Sequence, residues 1–577
     1  MSTSHKPFLF FLFLLFYFVS GAQFFPAKNY PKGFFIYPVD ARISLAANFG
    51  ELRSNHYHMG LDCRTDQVIN KTVKAAAAGY ISRVSVAPFG FGQAIYINHS
   101  NGLTTVYGHL HRFSPTLEKY VKEQQYKQES WVVNLDIPQG LFPVKQGQLI
   151  AYSGNTGGSM GPHCHFEIRD TKSGKVLNEL LFGLPIPDNV PPTLVSLYMY
   201  DRCISTYSQS PKLLPIKKVG AGYVTNDNII PVNTDKISFG ITANDKLSGS
   251  NNPNGIYEAV IYLDGLPLSA FQLDSISYDE TRFVNANIDY KTRASGGPYI
   301  QHLSRLSGYP EGVYKDINGD GIIELTDKNV HQVKIVVKDA NENTSILEFK
   351  IQKGVINETA SSNDAASRFQ QKEFMPGFVN VFDKESLQLY LPPGTLYDSV
   401  TFAHSEKNAV SPDSYSKVYS VLSGLIPAQD YFTIRIMIDK PVPENMKGRI
   451  LMRRTWKGKS EVVTANQIGD WYSAKFNAFG DFELIADSEP PVISINFNDN
   501  ANISHHRNIS IIPKDNNDEI RNFRAELDGK WLCFNNDKGR NYIYIFDERC
   551  PPGKHELKVY VKDEAGNTAE KIYHFTR

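Results

Sequence analysis

Two histidines one residue apart, in Gly161-Pro162-His163-Cys164-His165-Phe166-Glu167, lie well downstream of a second compact group, His58-Met59-Gly60-Leu61-Asp62. In an extended strand alternate side chains share a face, so His163 and His165 project together while Cys164 points away. That geometry suits a metal and a catalytic base. A hydrolytic zinc takes about three protein ligands from His, Cys or carboxylate and keeps one position open for water. His58, Asp62 and His165 make such a set, which leaves His163 for chemistry. Zinc would lower the pKa of bound water toward about 7 and polarise a scissile carbonyl. A neutral imidazole, with an unperturbed pKa of about 6.5, would accept the proton and return it to the leaving amine.

The elements that must position these groups read as β. From Phe24 to Pro187 the chain is dense in Gly and short β-type runs, such as Ala94 to Asn98, Thr104 to Tyr107 and Leu149 to Tyr152. These lie close to Gly or Asn-Gly turn signals, as strands of a compact antiparallel unit do. Only Leu117 to Gln128 reads as helical, within an insertion between strands that runs to Asp136. The sequence leaves open whether that insertion or the segment Gln23 to Gly50 covers a cleft.

Four motifs in order, His58-x-x-x-Asp62, Tyr107-x-His109-Leu110, Ser153-Gly154-Asn155-Thr156-Gly157 and Gly161-Pro162-His163-x-His165, resemble the M23 family of zinc metallopeptidases, also called LytM or lysostaphin-type. The resemblance covers roughly residues 45 to 180, and four ordered motifs make it specific. It implies an antiparallel β peptidase domain that hydrolyses peptide crosslinks of peptidoglycan. It also implies zinc on His58, Asp62 and His165, with His109 and His163 as the two catalytic histidines. Cys63, Cys164 and Met160 depart from the family's usual residues without touching a ligand; alternation turns both thiols into the core. His56, His111, His331 and His404 are read as surface or hydrogen-bonded histidines, with His111 close enough to His109 to flank the cleft.

Beyond this region the chain repeats. Val337-Lys338-Asp339 followed by Asn343-Thr344 recurs as Val561-Lys562-Asp563 followed by Asn567-Thr568. Each copy opens on a Pro-Pro pair, Pro191-Pro192 or Pro490-Pro491, and carries Leu-Asp-Gly at Leu263 or Leu527. Alternating apolar residues with regular turn signals predict two immunoglobulin-like β-sandwiches. The fold class is therefore mainly β, with a signal peptide over 1–22 and a peptidase domain over 23–187. A sandwich follows over 188–355, a polar linker over 356–368, an all-β module over 369–487 and a second sandwich over 488–577. Within the first sandwich, residues 316–327 place oxygen donors at Asp316, Asn318, Asp320, the Ile322 carbonyl and Asp327. This spacing resembles an EF-hand or dockerin calcium loop. The alternative is a polar hairpin between strands.

The remaining composition narrows the setting. With 60 basic and 60 acidic residues in 577, nothing asks for nucleic acid. Phe8 to Val19 is uncharged and apolar, and Ser20-Gly21-Ala22 offers a cleavage site before Gln23, the pattern of a secretory signal. That run is shorter than the roughly twenty residues that span a bilayer. No later segment is apolar enough to cross a membrane, which predicts an exported protein of the periplasm, cell envelope or exterior. Five cysteines are an odd count, and a hairpin could bring Cys533 opposite Cys550 as a disulfide or leave both as buried thiols. The functional reading is an exported zinc endopeptidase whose β-sandwiches target or space the enzyme, with a wall or surface partner for them. The alternatives are a non-hydrolytic wall-binding or hydrolase-activating protein on the same fold, and a peptidase of Gly-rich protein segments.

Overall fold

The computed structural model describes residues 24–26, 28–310, 312–354, 372–517, 520–539 and 541–577. The expected signal peptide and the 356–368 linker lie outside the described residues. Among the described residues no helix is long and apolar enough to cross a membrane.

Short strands with alternating burial build nearly the whole chain, as the sequence pattern predicts. In the N-terminal region an antiparallel sheet runs in the order Leu45–Ala47, Leu61–Arg64, His163–Asp170, Leu103–Gly108, Gln93–His99, Gly79–Val86, Val133–Asp136. A smaller sheet of Thr72–Lys74, Leu149–Ser153 and Leu110–Phe113 completes the region. Its core includes Cys63, Cys164, Phe166, Ile168 and Tyr107. Along His163–Asp170 the even-numbered residues Cys164, Phe166 and Ile168 fill that core, so His163, His165 and Glu167 are turned to the opposite face.

Residues 188–354 form two facing sheets. Leu197, Ile237, Phe239 and Ile241 on one meet Ile261, Val333, Ile335 and Phe349 on the other. Residues 372–487 and 488–577 each form another facing pair around their own cores. The repeated motifs occupy the same places in their units. Val330–Lys338 pairs Thr344–Lys353 as Lys554–Asp563 pairs Thr568–Thr576. In both Leu-Asp-Gly turns the aspartate takes a positive φ, 48° at Asp264 and 50° at Asp528, and binds a histidine of the hairpin, His331 or His555, at 2.7 Å. That local hydrogen bonding is why an aspartate tolerates the left-handed region there.

The peptidase region is not self-contained in its packing at residue 187. Val176–Leu177 pairs Ser275–Ile276 of the next unit. Phe49, Tyr57, Met59 and Val176 sit within the hydrophobic cluster of residues 188–354. Cutting the chain after Pro187 exposes these side chains, at about 1.5–3 kcal/mol for each large one. Residues 23–187 alone are therefore expected to aggregate or to melt well below a 23–354 fragment. Equal melting temperatures for the two fragments would show that the cross-unit packing carries no stability.

Candidate functional site

The central strand His163–Asp170 lies between Leu61–Arg64 and Leu103–Gly108, and that placement assembles the site. His165 is opposite Asp62 on one side and Gly108 on the other, and His109 follows directly. His58 precedes the Leu61–Arg64 strand, and Gly60 lets the chain come close. A Cβ at residue 60 would lie 2.5 Å from the Phe166 carbonyl oxygen and 2.9 Å from His165 Nε2, so no other residue fits. Gly154 is confined in the same way: a Cβ would lie 2.6 Å from the His109 carbonyl oxygen. His109 itself takes a left-handed φ of 58°, a strained setting for a non-glycine residue that its surroundings must hold in place.

Three buried donor atoms converge. His58 Nε2 is 2.9 Å from Asp62 Oδ1, His165 Nδ1 is 3.0 Å from the same oxygen, and the two imidazole nitrogens are 3.2 Å apart. The other atoms of each group are held from behind. His58 Nδ1 donates to the Asn48 carbonyl at 2.7 Å, and His165 Nε2 donates to Glu167 Oε1 at 3.0 Å. Arg53 donates to Asp62 Oδ2 at 3.0 Å. In its neutral form each imidazole is thereby the tautomer whose inner nitrogen carries a lone pair for a metal. The set can hold a metal ion.

The two remaining histidines face the same space. His109 Nδ1 donates to the Thr156 carbonyl and His163 Nδ1 to the Gly161 carbonyl, both at 2.8 Å, which turns both Nε2 atoms toward that space. Their rings lie 4.8 Å apart, and His163 Nε2 is 3.2 Å from Asp62 Oδ1. Burial, followed by the neighbouring His165 and His163, pushes His109 down to about 3, so it is neutral at physiological pH. Burial opposes charge on His165 too, but hydrogen bonds to Asp62 and Glu167 outweigh it and raise that imidazole to about 9. The cleft above them encloses about 1130 Å³ and is rimmed by Phe91, Ser159, Met160 and Tyr278.

All five histidine and aspartate positions expected from sequence thus meet in one cleft. The calcium-type loop does not form a comparable cluster among the described residues. Asp316 is paired to Arg305, Asp327 to His331 at 3.1 Å, Asp320 accepts from the Ile322 N–H, and Asn318 donates to the Pro267 carbonyl. Two of its carboxylates are thus paired to cationic or imidazole side chains. Cys533 and Cys550 are both free thiols. Leu532 and Phe534 fill the core of their unit, so alternation turns Cys533 outward while Cys550 is buried.

Neither segment considered as a cover closes the cleft. Ala46 is the one residue of 23–50 that lines it, and none of 117–136 does. The helix Pro115–Gln128 instead docks the last unit. Lys122 pairs Asp547 at 2.6 Å, Arg549 lies over the Tyr126 ring, and Tyr126 meets Trp531 edge to face. That unit also reaches the cleft rim, where Lys538 Nζ donates to the Ser159 carbonyl and the Gly157 N–H donates to Asp537.

Sequence reasoning missed one contributor from outside the peptidase region. Tyr278 donates its hydroxyl to Glu167 Oε1, the oxygen that also anchors His165. Loss of such an outer partner typically costs tenfold to a hundredfold in metal affinity. Tyr278→Phe is expected to weaken zinc binding by about that factor in a chelator competition titration. An unchanged dissociation constant would show that Glu167 holds His165 unaided.

Comparison with known proteins agrees with this geometry. Residues 56–126 match Peptidase family M23, and residues 373–487 match the Zu5-like domain. This chain carries a peptidase family M23 domain. A DD-carboxypeptidase/endopeptidase Mpg of Neisseria meningitidis is 31% identical over 131 residues, 23% of this chain and 24% of that protein. An uncharacterized metalloprotease of Haemophilus influenzae is 30% identical over 160 residues, 27% and 28% of the two chains. The peptidoglycan DD-endopeptidase ShyA of Vibrio cholerae is 26% identical over 177 residues, 30% and 35% of the two. The chain thus spans between a quarter and roughly a third of the length of these relatives, and the likeness is confined to the peptidase region.

Proposed function

We propose that the protein is a zinc-dependent endopeptidase of the cell envelope that hydrolyses peptide crosslinks of peptidoglycan. The observation that carries the reading is the convergence of His58, Asp62 and His165 beneath an open cleft with two further imidazoles at its edge. The donor set fits zinc. Bonds of about 2.0–2.2 Å in a tetrahedral site place donor atoms roughly 3.3–3.6 Å apart, and these lie 2.9–3.2 Å apart, within a small adjustment of that span, with mixed nitrogen and oxygen chemistry. Zinc supplies Lewis acidity, making water nucleophilic near neutral pH and polarising a carbonyl.

The chain's own residues do the rest. His163 and His109 present Nε2 toward the cleft because their Nδ1 atoms are committed to backbone carbonyls. A neutral imidazole of the pair can take a proton from the attacking water and pass it to the leaving amine, while one carrying a proton on Nε2 can donate to the oxygen that gains charge. Peptidoglycan as substrate is supported by the relatives named as DD-endopeptidases. Export is supported by the N-terminal sequence pattern. The repeated units and the Zu5-like region are spacers or targeting modules, divided as the sequence reading sets out, and the two repeated units also reach the cleft through Tyr278 and Lys538.

The substrate is tested by incubating the zinc-loaded protein with purified crosslinked muropeptide dimers and, separately, with a Gly-rich peptide. Mass spectrometry of the products locates the new amino terminus. Cleavage of the dimers at the crosslink is expected. Cleavage of the Gly-rich peptide alone would redirect the substrate to protein segments, and cleavage of neither would favour a binding or activating role.

A further inference from the structure

Outside the cleft, two clusters of aspartates occupy matching places in the two repeated units. Asp188, Asp245 and Asp339 bring one carboxylate oxygen each within 4.8 Å of one another, and Asp487, Asp515 and Asp563 do the same. The correspondence holds residue by residue. Asp188-x-x-Pro191-Pro192 matches Asp487-x-x-Pro490-Pro491. Asp245 and Asp515 each follow a strand directly, Lys236–Asn244 and Asn508–Lys514. Asp339 and Asp563 close the first strand of the hairpin, and each accepts both the backbone N–H and the side-chain amide of an asparagine, Asn343 or Asn567.

A second observation points to a ligand. Asp245 is 2% exposed, and its Oδ1 is buried without a hydrogen-bond partner, although its carboxylate faces the two others. Asp515 Oδ1 is likewise buried and unpartnered. The charges acting most strongly on Asp245 are those of Asp188 and Asp339, and on Asp515 those of Asp487 and Asp563, all of like sign. Three clustered carboxylates with an orphaned oxygen are costly unless a positive charge lies between them.

We propose that each cluster binds a calcium ion that clamps the start of its unit to the ends of two of its strands. The donors are all oxygen, which selects a hard cation over zinc. Calcium tolerates the irregular geometry and takes its remaining ligands from carbonyls, amides and water, whereas magnesium demands a near-ideal octahedron. In the first cluster the buried Asn254, bridged to Asp245 by paired backbone hydrogen bonds and without side-chain partners, is at hand as a further oxygen donor. Both ions would sit at module junctions. Asp188 lies between the peptidase sheet and the strand Thr193–Asp201, and Leu247, just beyond Asp245, packs in the peptidase core. Asp487 donates its N–H to the Arg449 carbonyl of the preceding unit, and Arg449 also binds Asn567.

The test is calcium titration calorimetry on the zinc-loaded full-length protein, with thermal unfolding in calcium and in EGTA. Two calcium ions are expected to bind. Asp245→Asn and Asp515→Asn should each remove one, the double variant both, and Asp316→Asn neither. Because Asn relieves the carboxylate repulsion, each variant should stay folded in EGTA, and the double variant's melting temperature should no longer respond to calcium. Absence of calcium binding at millimolar concentration, or two ions retained by the double variant, overturns the proposal. A wild-type melting temperature indifferent to calcium but rising as pH falls would overturn it too, showing that a proton fills the clusters.

Discussion

His165→Ala should abolish zinc binding and, with it, all hydrolysis. His165 is the one residue that touches every layer of the site: Nδ1 faces Asp62 and His58, and Nε2 binds Glu167. Removing it leaves two inner ligands, fewer than the three that a hydrolytic zinc site uses. It also leaves Glu167 buried without one of its partners, alongside Arg169 and Tyr278. Metal analysis of the purified protein should fall from about one zinc per chain to none. Full occupancy in the variant would mean that the metal sits elsewhere.

His109→Ala and His163→Ala should separate chemistry from metal binding. Neither imidazole belongs to the three-donor cluster; a backbone carbonyl holds Nδ1 of each, and His163 also reaches Asp62. Zinc content should stay near one per chain while the turnover number falls by about a hundredfold to ten-thousandfold, the usual contribution of a positioned acid or base. The two effects should not multiply in the double variant if both groups serve the same proton transfer. A wild-type rate in either variant would remove that histidine from the mechanism.

What the sequence made legible and what it did not divide along a physical line. His58, Asp62, His109, His163 and His165 were readable because strand alternation and motif order are local properties. The same alternation correctly sent Cys63 and Cys164 into the core. Partners contributed by distant chain left no such trace. The Asn48 carbonyl that fixes His58 is backbone and has no residue signature, and Tyr278 arrives from a different unit through packing alone. Glu167 stood within a motif, yet its task appears only once Tyr278 and Arg169 are seen around it.

The calcium-type loop shows the limit of spacing read alone. Its oxygen spacing satisfied a pattern, but Arg305 and His331 engage Asp316 and Asp327, which sequence spacing cannot register. The aspartates that do converge were visible as repeated Val-Lys-Asp and Pro-Pro motifs. Their meeting with Asp245 and Asp515 depends on how two facing sheets bring a linker, a strand end and a hairpin together. The same limitation hid the contact of Lys538 with the cleft rim, since nothing in a β-hairpin's sequence announces what it will touch.

The most direct test of the zinc-peptidase account is to strip the full-length protein of metal with a chelator, restore one equivalent of zinc, and follow crosslinked muropeptide dimers at each stage. The account expects dimers to be split into monomers by the untreated protein, to survive intact with the stripped protein, and to be split again on restoration. Cleavage that continues undiminished after complete removal of the metal would contradict it.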